Sequence, residues 1–241
     1  MTAPLLVELK KSAPLLSIGI MSADLMHLDE SVRTLEACGA KLLHFDVMDG
    51  CFCPQLTAGP FFVKGMKTAL YKDVHLLVEN PLTLIPDFAA AGADIITVHA
   101  ESGRYVRRAL QLIAEQKNAN APDRGILRGI ALNPGTPLEA AVPLLDEADI
   151  VFLIAIEPGF PKQRFAGTIA GRFGKLKEMA GTMRERLLFG IDGGVTRDNI
   201  GMVGSLGTDI IVTGSAVFEG GKIRENFSSI EQSIAISKKA D

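Results

Sequence analysis

The sequence has few cysteines, little net charge and no long apolar run. Its three cysteines, Cys38, Cys51 and Cys53, are an odd number without a disulfide framework, which indicates a reducing cytoplasm. A net charge of −3 argues against a nucleic-acid partner or an anionic membrane surface. No apolar segment approaches the length that spans a bilayer, and residues 1–11 lack the apolar centre of a signal peptide. We therefore expect a cytoplasmic protein with no nucleic-acid partner and no membrane contact.

Several catalytic and nucleotide-binding motifs are also absent. No Gly-x-Gly-x-x-Gly follows the first apolar run, and the chain has no Walker A, His-Glu-x-x-His or Gly-x-Ser-x-Gly sequence. The pair Cys51-x-Cys53 has no second cysteine pair to complete a metal site, so we interpret both as loop residues. A dinucleotide-binding sheet therefore has no support.

Eight short apolar runs alternate with helix-like segments along the 241 residues. Continuous apolar runs are typical of parallel strands that are buried on both faces, and regular alternation indicates an α/β fold. We predict strands at Leu15–Met21, Lys41–Val47, Asp73–Val78, Ala93–Val98, Ile126–Leu132, Asp149–Ile156, Leu187–Ile191 and Asp209–Val212. Eight units in this length favour a single (β/α)8 TIM barrel over residues 1–241, although an open doubly wound sheet stays an alternative. Residues 1–14 are predicted to be an N-terminal extension with a short amphipathic piece.

The segments between the strands carry helix signals such as proline at the first turn and glycine after the last. The predicted helices are 30–38, 60–70, 81–92, 103–116, 137–145, 168–183, 197–203, 215–218 and 226–238.

Polar side chains concentrate at the ends of the predicted strands, where barrels carry their active sites. Three of the four histidines lie there, and the full set is His44, Asp46, His75, His99, Glu101, Asn133, Glu157, Asp192 and Ser215. On strand 2, His44, Asp46 and Met48 share one face because side chains alternate along a strand. Taken alone, His44-x-Asp46 fits a surface stripe on an edge strand better than a functional pair.

Two histidines and two aspartates in this set suit one divalent ion such as zinc, manganese or iron: His44, Asp46, His75 and Asp192. Strands 2 and 3 are neighbours, so His44 and His75 can share the ion. Asp46 and Asp192 would approach a central substrate from opposing sides, which is what a two-base epimerisation needs. The alternative is that both aspartates cap helices or turns.

A phosphate signal follows the last two strands. Gly193 and Gly194 follow strand 7, and Gly214 and Ser215 follow strand 8, where such barrels bind phosphate with backbone N–H groups. Glycine pairs alone are common in turns, but the two segments together at these loops indicate a phosphate-binding site.

Taken together, these residues resemble the ribulose-phosphate 3-epimerase family over nearly the whole chain. The resemblance lies in eight segments that occur in the family's order: Ser22-Ala23-Asp24, His44 to Gly50, Asp73 to Leu76, Ala93 to Glu101, Ala131 to Pro134, Pro158 to Phe160, Asp192 to Val195 and Gly214 to Phe218.

The resemblance implies a metal-dependent enzyme that interconverts ketopentose 5-phosphates at C3. The acid/base pair would be Asp46 and Asp192, and Met48 would form part of an apolar lid. The metal ligands would be His44, Asp46, His75 and Asp192, and the substrate contacts would include Met48, His75, Gly159, Gly193, Gly194, Gly214 and Ser215. The partners expected are a phosphosugar substrate and further copies of the chain in a homo-oligomer.

The sequence departs from the family pattern where substrate contacts are expected. Gly19 stands in place of a serine, and Pro161-Lys162 replaces a glycine pair that helps to hold phosphate after strand 6. In addition, Glu157 replaces an asparagine, and Leu77 and Ile154 replace lid methionines. These departures do not change the predicted reaction type, but they leave the identity of the sugar substrate open.

Three alternatives stay open: a 3-epimerase of another phosphosugar such as a ketohexose 6-phosphate, a non-catalytic phosphosugar-binding barrel, and a lyase or decarboxylase. The complete histidine and aspartate set argues against the non-catalytic barrel. A lyase would need a lysine near the enediolate, and no lysine ends a predicted strand.

Overall fold

The structure is a computed structural model and describes residues 4–160 and 163–238. Eight parallel strands form a closed barrel in chain order, each paired with the next and β8 paired with β1. The strands are β1 Leu15–Gly19, β2 Leu42–Met48, β3 Tyr71–Leu77, β4 Ile95–His99, β5 Leu127–Leu132, β6 Ile150–Ile154, β7 Leu188–Asp192 and β8 Ile210–Thr213. The predicted (β/α)8 barrel is therefore confirmed. Closure leaves no edge strand, so the interpretation of His44-x-Asp46 as an edge stripe is wrong.

Helices surround the barrel and connect successive strands. They are α1 Pro4–Ser12, α2 Leu28–Ala37, α3 Pro60–Gly65, α4 Ile85–Ala90, α5 Val106–Glu115, α6 Ile169–Ala180, α7 Ile200–Ser205, α8 Ser215–Phe218 and α9 Ile223–Lys238. The helices around the barrel bury apolar residues against the outer face of the strands; α5, for example, buries Val106, Ala109, Leu110 and Ile113.

Several predicted helices differ from the observed ones, and the helix predicted at 81–92 is a 3-10 helix, Pro81–Thr83, followed by α4. The helix predicted at 137–145 is a 3-10 helix, Leu138–Leu144, which contains Pro143. Because proline has no N–H to donate, an α-helical hydrogen bond is lost at this position, and the tighter turn replaces it. The helix predicted from residue 60 to 70 ends at Gly65, where Met66 turns to an extended conformation.

The helix α1 covers the N-terminal end of the barrel. Leu5, Leu6 and Leu9 are buried and pack with the first residues of the strands, such as Leu42 and Ile95. The hydroxyl of Tyr71 donates to Glu8 Oε2 at 2.9 Å. The amphipathic piece expected in residues 1–14 thus closes the barrel at the end opposite the strand C-termini.

Candidate active site and metal centre

The strand β2 places two polar side chains inside the barrel mouth. His44 and Asp46 lie on the same face, as the alternation predicts, and His44 Nε2 is 3.2 Å from Asp46 Oδ1. His44 is buried, whereas the Asp46 side chain is 29% exposed and lines a cavity. A buried ring beside a partly open carboxylate leaves one wall of the site accessible to a small molecule.

The strands β3 and β7 complete the group. His75 Nδ1 lies 3.3 Å from Asp46 Oδ1 and 3.0 Å from Asp192 Oδ2, and His44 Nε2 lies 3.7 Å from Asp192 Oδ2. Each of the four side chains offers one ligand atom, and these atoms all lie within 4.8 Å of one another. We call His44, Asp46, His75 and Asp192 the mouth cluster. Two imidazoles and two carboxylates at this spacing match a single divalent ion in chemistry and in size.

The orientation of His44 is fixed from the barrel interior by Asp73, which is fully buried. Asp73 Oδ2 lies 2.8 Å from His44 Nδ1 and accepts a hydrogen bond from Ser17 Oγ at 2.7 Å. Because the carboxylate accepts, Nδ1 of His44 carries a hydrogen, and Nε2 is the nitrogen whose lone pair would bind an ion in the mouth cluster after its own proton is displaced. The sequence analysis assigned no role to Asp73. Its signal was the alternation on β3, which puts Asp73 on the face of His75, together with its place beside His44 in the barrel.

A second group of polar residues lies behind His75. His99 Nε2 is 2.8 Å from His75 Nε2, and His99 Nδ1 is 3.1 Å from Glu101 Oε2. The other carboxylate oxygen, Oε1, accepts from the backbone N–H of Asn133 at 2.9 Å and from the hydroxyl of Thr136. His99, Glu101 and Asn133 were predicted at strand ends, and the hydrogen bonds that join them are a finding of the structure.

Burial and neighbouring charges act in opposite directions on the mouth cluster. Burial lowers the pKa of His44, but the carboxylates of Asp73 and Asp46 outweigh it and hold this pKa well above its ordinary value. Burial likewise lowers the pKa of His75, and hydrogen bonds with Asp192 and Asp46 reverse the effect, so the net pKa is raised. Burial raises the pKa of Asp46, yet His44 and His75 lower it below its usual range. Protons on the two histidines thus balance the carboxylates, and a divalent ion that binds here would displace them.

Different influences dominate at His99 and Glu101. Burial is the largest effect on His99 and lowers its pKa to about 4, although Glu101 acts in the opposite direction. Burial raises the pKa of Glu101, but hydrogen bonds from His99, Thr136 and Asn133 lower it to about 2. At neutral pH His99 is therefore a neutral ring and Glu101 a carboxylate.

The loops after β7 and β8 form a cavity of about 250 Å³ above the mouth cluster. The two aspartates of the cluster and the predicted phosphate-binding residues meet in its lining, which includes Gly19, Asp46, Asp192, Gly193, Gly194, Gly214 and Ser215. Gly193 and Gly194 have φ angles of +92° and +69°, and a Cβ on Gly193 would lie 2.6 Å from Ile156. Only glycine fits there, because side-chain-bearing residues rarely adopt these angles.

Two further predicted substrate contacts lie on the neighbouring loops. Met48 ends β2, and its backbone N–H donates to Thr57 Oγ1 at 2.9 Å. Gly159 packs against Cys53, and its carbonyl accepts from Gln55 Nε2 at 2.8 Å. The loop after β2 is thus joined to the loop after β6. Pro161 and Lys162, which the sequence analysis expected to change this loop, lie outside the described residues.

The geometry defines a class of protein: a (β/α)8 barrel with a two-histidine, two-aspartate cluster and glycine loops at the C-terminal ends of its strands. The Ribulose-phosphate 3 epimerase family model matches residues 15–218. The chain belongs to this family.

Curated relatives agree over most of the chain. It is 39% identical to the ribulose-phosphate 3-epimerase of Bacillus subtilis (strain 168) over 202 residues, which are 83% of this chain and 89% of that protein. Identity to the ribulose-phosphate 3-epimerase of Escherichia coli (strain K12) is 38% over 211 residues, covering 85% and 89%. The putative epimerase LsrE of Salmonella paratyphi A is 34% identical over 224 residues, covering 92% of this chain and 88% of that one.

Solved structures of low identity share the fold. A KGPDC of Streptococcus mutans has a TM-score of 0.65 at 15% identity and covers 93% of this chain and 98% of that one. The 3-hexulose-6-phosphate synthase of Salmonella typhimurium has a TM-score of 0.63 at 18% identity and covers 92% of this chain and 98% of that one.

In the part of the chain that the structure describes, no helix is both long and apolar enough to cross a membrane.

Proposed function

We propose that the protein inverts C3 of a ketose phosphate and interconverts ribulose 5-phosphate and xylulose 5-phosphate. The observation that carries this proposal is the mouth cluster, which brings two carboxylates and two imidazoles from three strands within 4.8 Å of one another, with the two carboxylates in the lining of one cavity. Family membership and relatives named ribulose-phosphate 3-epimerase support it.

The mouth cluster would hold one divalent ion, and zinc, manganese and iron all accept its mixture of nitrogen and oxygen ligands. The residues fit such an ion on chemical grounds, because two buried histidines and two carboxylates converge within 4.8 Å. When bound, the ion supplies a positive charge that stabilises the negative oxygen of an enediolate.

Asp46 and Asp192 would carry the proton transfers. C3 lies next to the C2 ketone, so one carboxylate removes the C3 proton and the electron pair of the C–H bond moves into an enediolate. The other aspartate, in its protonated carboxylic acid form, delivers a proton to the opposite face of C3, and the electron pair of the enediolate forms the new C–H bond. Both line the cavity, with side chains 29% and 14% exposed, so both are open to a substrate.

The remaining cavity residues would bind the substrate. Gly193, Gly194, Gly214 and Ser215 suit a phosphate group, which fixes the sugar between the two carboxylates and supplies binding energy away from the reacting carbon. We propose that Met48, His75 and Gly159 contact the sugar from the β2, β3 and β6 sides. We also propose a cytoplasmic location. We further propose that the protein forms a homo-oligomer, which light scattering on the purified protein would test.

A second candidate is the same reaction on a longer ketose phosphate, such as a ketohexose 6-phosphate. Gly19 lines the cavity without a side chain, and a second cavity of about 650 Å³ shares the lining residues Ser22, Thr196 and Ser215. Additional room on this side would suit a larger sugar.

The experiment is metal analysis of the purified protein, followed by an NMR assay of C3 epimerisation over a panel of pentose and hexose ketose phosphates. We expect about one divalent ion per chain and inversion at C3 of ribulose 5-phosphate. Faster turnover of a hexose phosphate would favour the second candidate. A metal-loaded protein that inverts none of the panel would contradict both.

A further inference from the structure

Outside the four ligand positions, the most unusual feature of the barrel mouth is a chain of hydrogen bonds that ends on His75. It runs from the backbone of Asn133 through Glu101 and His99. The rings of His75 and His99 are nearly parallel, with an interplanar angle of 10° and centroids 4.9 Å apart. Both rings are buried, and Phe52 lies beside His99 with ring centroids 4.7 Å apart. We call His99 and Glu101 the relay pair.

Each hydrogen bond in this chain has only one direction. Glu101 Oε1 already accepts from two donors, the Asn133 N–H and the Thr136 hydroxyl, and its Oε2 also accepts, so Nδ1 of His99 carries a hydrogen. A ring that carries its one hydrogen on Nδ1 has a lone pair on the other nitrogen, Nε2. The 2.8 Å contact between the two Nε2 atoms therefore requires His75 to be the donor. An ion that displaces the proton from Nδ1, the atom that faces Asp46 and Asp192, takes the lone pair of this nitrogen and leaves the hydrogen of His75 on Nε2, as this direction requires.

We infer that His99 and Glu101 are positioning residues, which select the tautomer of His75 that can bind a metal through Nδ1. This inference rests on the metal site in the proposed function. The relay pair touches His75 alone among the cluster and would not contact substrate.

The two histidines of the cluster thus have separate supports of different kinds. His44 is held by one carboxylate, Asp73, and offers Nε2. His75 is held by a histidine and a carboxylate in series and offers Nδ1. Because two rings lie in series, the direction of the hydrogen bonds that support His75 can be reversed. A donor in place of the Glu101 oxygen would change the tautomer of both rings.

The substitution Glu101→Gln makes this reversal. Its amide oxygen must face the two donors at Asn133 and Thr136, so its NH2 group faces His99 Nδ1. His99 then carries hydrogen on Nε2 and donates to His75, whose hydrogen moves to Nδ1, where the ion would bind. Loss of an outer partner of a metal-ligating histidine weakens metal binding by about 10–100-fold. We expect a loss in this range for zinc.

The test measures zinc affinity by competition with a chromophoric chelator, using the whole chain. Asp94→Asn is the matched control, because Asp94 is a carboxylate that likewise accepts hydrogen bonds, from Lys72 and Asn118, but it lies just before β4, at the opposite end of the strand from His99. The relay predicts weaker zinc binding in Glu101→Gln and unchanged binding in Asp94→Asn. Excess zinc should restore much of the turnover of Glu101→Gln, which a defect of folding would not allow.

A second pair of variants decides the question if Glu101→Gln does not fold. His99→Gln keeps an oxygen that can accept from His75 and an NH2 that can donate to Glu101, whereas His99→Leu keeps neither. We expect near-wild-type zinc affinity in the first and a loss of about 10–100-fold in the second. Nitrogen-15 NMR of the zinc-loaded wild type should show His75 bound through Nδ1 with hydrogen on Nε2.

Three results would overturn the inference. Zinc bound to Nε2 of His75, equal zinc affinity in Glu101→Gln and wild type, or equal affinity in the two His99 variants would each remove the relay and leave the proposed reaction intact. A wild-type protein that binds no divalent ion would instead overturn the metal site in the proposed function, and the inference with it.

Discussion

Replacement of Asp192 by asparagine removes one of the two proposed acid/base groups with little change in shape. The Asp192 side chain ends β7 and is 14% exposed, with Oδ2 at 3.0 Å from His75 Nδ1. An amide of the same size can occupy this space but cannot relay a proton. Loss of a general acid or base costs about 10²–10⁴-fold in rate, which corresponds to roughly 3–5 kcal/mol of activation free energy. We expect kcat to fall by this factor, with the thermal unfolding midpoint close to that of the wild type.

Because Asp192 is also a proposed metal ligand, turnover has to be measured at known metal occupancy. The decisive assay follows exchange of the C3 proton in heavy water, starting from each epimer separately. With two bases on opposite faces, a variant that lacks one base should exchange the C3 proton of one epimer and fail to invert it. Asp46→Asn should retain exchange with the other epimer. Wild-type-like turnover of Asp192→Asn at saturating substrate and full metal occupancy would refute the two-base assignment.

Three further outcomes can be measured. The raised pKa values of the two cluster histidines favour their protonated forms, and metal binding must displace these protons. The metal affinity should therefore rise with pH. Calorimetry in buffers of different ionisation enthalpy should show that each bound ion releases protons. Gly190→Ala should destabilise the protein by about 1–3 kcal/mol in urea unfolding, since its Cβ would lie 2.2 Å from Phe152, whereas Gly174→Ala, with open space around it, should not be destabilising. Gly19→Ser should fit, because its Cβ would lie 3.5 Å from the nearest atom, and one new hydrogen bond of about 0.5–1.5 kcal/mol should lower the KM for ribulose 5-phosphate; an unchanged or higher KM would contradict this.

The sequence was sufficient to predict the barrel because strand burial leaves a direct trace in composition. A strand buried on both faces has to be a continuous apolar run, and β6 and β8 consist entirely of buried residues, although their ends were predicted too long or shifted. The 3-10 helix at Leu138–Leu144 was missed because its apolar pattern resembles that of an α-helix and the effect of Pro143 depends on hydrogen-bond geometry. The packing of α1 across the strand N-termini depends on contacts between distant parts of the chain, which periodicity does not contain.

Within the site, the mouth positions were predictable and the supporting groups were not. Alternation along β2 places His44 and Asp46 on one face, and the closed barrel brings His75 and Asp192 to them. The role of Asp73 depends on the register between β2 and β3, which pairs it with His44. The pattern of a single strand does not give that register, and the proposed use of Nε2 as the ligand nitrogen of His44 depends on it.

The substrate is a separate problem from the reaction, because the two depend on different parts of the fold. The cluster lies on strand ends, where neighbouring strands and buried partners such as Asp73 fix each side chain. The surface that we propose to contact the rest of the sugar lies on loops, where Gly19 lines the cavity without a side chain and the loop after β6 contacts the loop after β2 through Gln55 and Gly159. A change of loop residue alters KM between sugars while the proton transfers at C3 stay the same. Comparison of kcat/KM for pentose and hexose phosphates in Gly19→Ser and wild type therefore reports on the sugar, and the Asp192→Asn exchange assay reports on the chemistry.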